Sequence, residues 1–174
     1  MMNNQMKPAD FTFQYKTAQY DNISAFFGRH GFNAVDIQFL TALFGSNAGN
    51  KVPLSEKDDS DQRSFSVRTV FSKNVPDMER DFGLITILNN QDLPYNELLN
   101  KKAFLKNGNG EKFFDLDNVS EFYQSLLGGI EPLDDLISEY GHDEQNVFDG
   151  LYDYLTDEDN VAIMEKVAGQ VKID

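Results

Sequence analysis

The acidic residues of this 174-residue chain are gathered in its last third. Residues 111–174 hold 17 Asp and Glu against 3 Lys and Arg, a net of −14, whereas residues 1–110 hold 12 of each and are neutral. Between Glu131 and Asp159 run eleven carboxylates (Glu131, Asp134, Asp135, Glu139, Asp143, Glu144, Asp149, Asp153, Asp157, Glu158 and Asp159) without one Lys or Arg. Aligned like charges destabilise a compact state, so such a block must spread over a solvated face, meet a basic partner, or serve solubility. The apolar positions between the acids predict its form. Val147, Phe148, Leu151, Tyr154 and Leu155 recur at helical spacing, as do Val161, Met164, Val167, Ala168 and Val171 further on. Amphipathic helices with outward acids follow: Asp149 and Asp153, four apart, project opposite the stripe, and Asp157 continues the line. A same-sign pair at that spacing costs about 0.2–0.5 kcal/mol, so helix stability does not account for it.

Upstream, the pattern is mixed. Phe11 to Tyr15 alternates apolar and polar residues and predicts a strand or extended arm. Asp21 or Asn22 is a candidate cap for a helix carrying Ile23, Phe26 and Phe27, closed by Gly31. Asn33 is the natural cap of a second helix, where Val35, Ile37, Phe39, Leu40, Leu43 and Phe44 form a broad apolar stripe ending at Gly45. Ser46 to Ser64 is a long polar loop. The β-branched and aromatic run Ser64 to Phe71 predicts a strand, and the nearly continuous apolar run Phe82 to Leu88 predicts a buried central one. Lys102 to Leu105 and Lys112 to Leu116 flank Asn107-Gly108-Asn109-Gly110, a hairpin pattern. Val119, Phe122, Tyr123, Leu126 and Leu127 then share a helical face, expected to stop at Gly128-Gly129, with Pro132 opening a separate helix to Tyr140.

These elements predict an α+β fold: a small antiparallel or mixed sheet flanked by helices, with an acidic C-terminal helical region. The expected organisation is a core domain over 1–128 and an acidic helical extension over 129–174 packed on it. Fifteen Phe and seven Tyr give enough apolar surface for a folded core.

The residue types present exclude several chemistries. With no Cys there is no thiolate ligand or nucleophile, and a reducing, cytoplasmic setting is favoured. Met1 to Asp10 has no apolar signal region and no stretch of about 18 apolar residues exists, so no membrane association is expected. A net charge of −14 repels phosphate backbones, which argues against direct nucleic-acid binding. Only His30 and His142 are present, neither within a catalytic or metal-binding motif. Neither Asp58-Asp59-Ser60-Asp61 nor Asp157-Glu158-Asp159 has the glycine and terminal Glu of a calcium loop. No catalytic residue, metal or cofactor is therefore expected.

A family resemblance rests on Ile37-Gln38-Phe39-Leu40 running into Gly45-Ser46-Asn47-Ala48-Gly49, then Ser64 to Phe71, Phe82 to Leu88, and Val119 to Leu127. In order and character, residues 23–127 resemble the SUKH superfamily of bacterial immunity proteins. In that family a helix leads into an Asn-Gly-Gly turn and a Ser-Phe-x-x-Phe-like helix closes the domain. Here Ala34-Val35 stand where Leu-Pro is usual, the glycine pair is split, and there is no Trp. The resemblance implies a neutralising protein that binds a toxin, often a nuclease, without catalysis.

The expected function is a cytoplasmic acidic binding protein. It neutralises a basic partner, such as a nuclease toxin or a nucleic-acid-binding defence enzyme, through Asp134, Asp135, Glu139, Asp143, Glu144, Asp149, Asp153, Asp157, Glu158 and Asp159. Carboxylates four apart on a helix recur about every 6 Å, in the range of DNA phosphates, which suggests DNA mimicry of the anti-restriction or anti-CRISPR type. One alternative is a phage or mobile-element assembly module contacting its neighbours through Phe11, Phe13, Tyr15 and Tyr20. A small enzyme is the third.

Overall fold

A computed structural model describes residues 11–58, 63–67, 75–99, 103, 116–140 and 144–157. In chain order the elements are β1 (Thr12–Phe13), α1 (Thr17–Arg29), α2 (Ala34–Asn47), β2 (Phe65–Ser66), α3 (Val75–Asn89), α4 (Tyr95–Leu98), α5 (Leu116–Tyr140) and α6 (Glu144–Thr156). The two short strands pair antiparallel, with Thr12 opposite Ser66 and Phe13 opposite Phe65. The fold is thus α+β, a small sheet flanked by helices.

The α5 helix is the axis of the molecule. Its buried positions Val119, Phe122, Tyr123, Leu126, Leu127, Ile130, Leu133 and Ile137 follow the three-to-four spacing of one helical stripe, and α1, α2, α3 and α6 all pack against it. The α2 crossing is the closest because Gly45 and Gly129 meet there backbone to backbone. A Cβ on Gly45 would lie 2.8 Å from the Gly129 nitrogen. A polar bridge joins three helices nearby: Ser46 Oγ donates to Asn89 Oδ1 at 2.8 Å, and Asn89 Nδ2 donates to Ser125 Oγ at 3.1 Å.

Local chemistry sets the α1–α2 corner. Past the end of α1, Gly31 takes φ +86°, a left-handed conformation that glycine adopts without a Cβ penalty. Phe32 N–H then donates to the Phe27 carbonyl at 3.1 Å and Gly31 N–H to the Gly28 carbonyl at 3.3 Å, while the Phe27 and Phe32 rings meet at 5.2 Å. This is a Schellman closure with its hydrophobic contact. Asn33 at once caps α2: its Oδ1 accepts from Val35 N–H and Asp36 N–H, and Asp36 Oδ2 accepts from Asn33 N–H at 3.1 Å. Both the Gly31 stop and the Asn33 cap are as the sequence predicts.

Four expectations are corrected. Phe82 to Leu88 is not a strand but part of α3, with Met78, Asp81, Phe82, Ile85 and Thr86 buried at helical spacing and Leu84 exposed. The expected step from the strand at Ser64 to a second strand is therefore a step from strand to helix. Second, α1 starts at Thr17, four residues before Asp21, with Lys16 at its cap in a left-handed conformation (φ 44°) and ion-paired to Glu131 at 2.7 Å. Third, neither Gly128-Gly129 nor Pro132 interrupts α5. Proline has no N–H to offer the Gly128 carbonyl four residues back, and that carbonyl instead accepts from Asn50 Nδ2 at 3.3 Å. Leu126 and Leu127 before the glycines and Ile130, Leu133 and Ile137 after them thus belong to one core. Fourth, Phe11, Phe13 and Tyr20 are buried around Tyr123 and Phe65, so they are core residues rather than an exposed aromatic face.

The expected strand Ser64 to Phe71 is present as Phe65–Ser66, and its residues 68–71 lie outside the described set. So do most of the expected hairpin, His142 and the expected final helix from Val161 to Val171; Leu116, the hairpin's last residue, opens α5 instead.

Candidate functional site

The described acids separate into those the fold uses and those it leaves facing solvent. On α5, Asp134 Oδ1 accepts from Asn22 Nδ2 of α1 at 2.6 Å. At the start of α6, Glu144 lies 4.0 Å from the Arg29 guanidinium and 3.5 Å from His30 Nε2, tying α6 to the end of α1. Both partners of the Arg29–Glu144 pair are well exposed, and such pairs contribute little stability. By contrast Asp135 and Glu139, four apart on the outward face of α5, and Asp153 on α6 form no ion pair or hydrogen bond among the described residues. Asp149 accepts only from neutral Gln145, at 3.0 Å, so its charge is not balanced locally. Asp157 is exposed just past α6, while Asp143, Glu158 and Asp159 lie outside the described residues.

Tyr152, between Asp149 and Asp153 in sequence, is 68% exposed, the most exposed large hydrophobic side chain among the described residues. Its ring offers a large apolar face with a polar tip.

The helix that carries these groups is held firmly. Tyr154 stacks on Phe44 of α2 at 4.2 Å with the rings 11° apart, and its hydroxyl donates to the Phe44 carbonyl at 3.5 Å. Phe148 packs against Phe26 and His30, and the Tyr140 ring covers Gly150, where a Cβ would lie 3.2 Å from it. Alongside runs an open groove of about 480 Å³ whose wall on α2 is Asp36, Phe39, Leu40 and Leu43, with Phe32 at the corner and Leu155 from α6. The clue to this groove in the sequence is the width of the α2 stripe. Val35, Ile37, Thr41, Ala42 and Phe44 already fill the buried side, so Phe39, Leu40 and Leu43 are surplus to one core-facing surface and remain partly exposed.

One acid is placed differently. Asp81 on α3 is only 1% exposed; its Oδ1 accepts from Arg80 Nε at 2.9 Å and Nη2 at 2.8 Å, and its Oδ2 has no hydrogen-bond partner among the described residues. Burial pushes its carboxyl above the ordinary carboxylate range, against the opposing pull of Arg80. Among the described residues no group of three His, Asp or Glu side chains is placed to hold a metal, and no helix is long and apolar enough to cross a membrane.

The described surface thus carries outward carboxylates, one prominent tyrosine and an apolar groove. Compared with protein-family models, curated proteins and solved structures, the chain matches none.

Proposed function

We propose that this chain is a non-enzymatic binding protein that acts in the cytoplasm by occupying a basic surface on another protein. The partner class is a nuclease toxin or a nucleic-acid-binding defence enzyme, whose Lys and Arg side chains the carboxylates engage in place of phosphates. The observation carrying this reading is the array of Asp135 and Glu139 on α5 and Asp149 and Asp153 on α6, outward and lacking any basic partner among the described residues. Within each pair the spacing along the helix is about 6 Å, compatible with guanidinium and ammonium groups that track a nucleic-acid backbone. Fixed charges of one sign also speed encounter with an oppositely charged partner.

Capture from a lysate of the native host tests the proposal. Wild-type chain retains a basic protein at about 0.1 M salt and releases it near 1 M, where the screening length falls to about 3 Å. Asp149→Lys/Asp153→Lys should retain it at neither. Equal retention by wild type and variant would overturn the proposal.

A further inference from the structure

We draw no further inference here: the strongest candidate, the apolar groove between α2 and α6 walled by Phe39, Leu40, Leu43 and Leu155, carries none because nothing in the structure shows what covers it.

Discussion

The side-chain amide of Asn50 donates to the Gly128 carbonyl at 3.3 Å, the backbone acceptor that Pro132 leaves without its helical donor. A loop residue thereby repairs α5 at a proline, and Val52 N–H adds a second loop contact, to the Gln124 carbonyl at 3.1 Å. Removing the amide returns the carbonyl to an unsatisfied state, so Asn50→Ala should cost about 1 kcal/mol in urea unfolding. Alanine at 132 restores the helical N–H. In a Pro132→Ala background the cost of Asn50→Ala should therefore fall to less than half, and an unchanged cost would show that the two positions are not coupled.

Gly45 and Gly129 set how closely α2 and α5 approach. A Cβ at 129 would collide with the Thr41 carbonyl and lie 2.7 Å from the Gly45 nitrogen, and a Cβ at 45 would collide with the Ser125 carbonyl. Backbone cannot rotate aside as a side chain can, so each of Gly45→Ala and Gly129→Ala should destabilise by about 3 kcal/mol or more. Gly28, in the last turn of α1, has nothing within 4 Å of its would-be Cβ. Gly28→Ala should be neutral or stabilise by up to about 1 kcal/mol, because alanine loses less backbone entropy in a helix. Thermal melts of the three variants check both statements.

Asp81 gives a pH dependence of known sign. Burial raises its folded-state pKa above that of the unfolded chain, so the folded state holds the extra proton between those values. Its contribution to stability is fully present below the unfolded carboxylate pKa and is lost as pH rises through the raised folded value. Asp81→Asn lacks this titration. The stability of the variant relative to wild type should therefore rise as pH is taken from below the ordinary carboxylate range to neutrality. Parallel pH profiles in urea unfolding would contradict it.

Features specified by adjacent residues were legible in the sequence. Asn33 marked the α2 cap, Gly31 the end of α1, and Val119 to Leu127 the buried stripe of α5. Phe82 to Leu88 misled because a continuous apolar run has no period; only a window reaching back to Met78 shows the helical spacing. The break expected at Gly128-Gly129-Pro132 is absent because the repairing amide lies 78 residues away in sequence. The same holds for the acids. Their helical spacing is local, but Asp134 is engaged by Asn22, 112 residues distant, and Glu144 by Arg29 and His30, pairings that depend on how α1 docks. The groove is intermediate, foreshadowed by the surplus width of the α2 stripe but formed only where Leu155 faces it.

Under the proposed function, outward carboxylates occupy a surface the partner otherwise offers to nucleic acid. Competition for the captured partner between this chain and duplex DNA tests it most directly, read as DNA displaced per mole of chain added. Wild type should displace the DNA, and a variant with Asp135, Glu139, Asp149 and Asp153 all changed to Lys, folded by circular dichroism, should not. Displacement by that variant at wild-type concentration, or simultaneous binding of DNA and wild-type chain, would contradict the account.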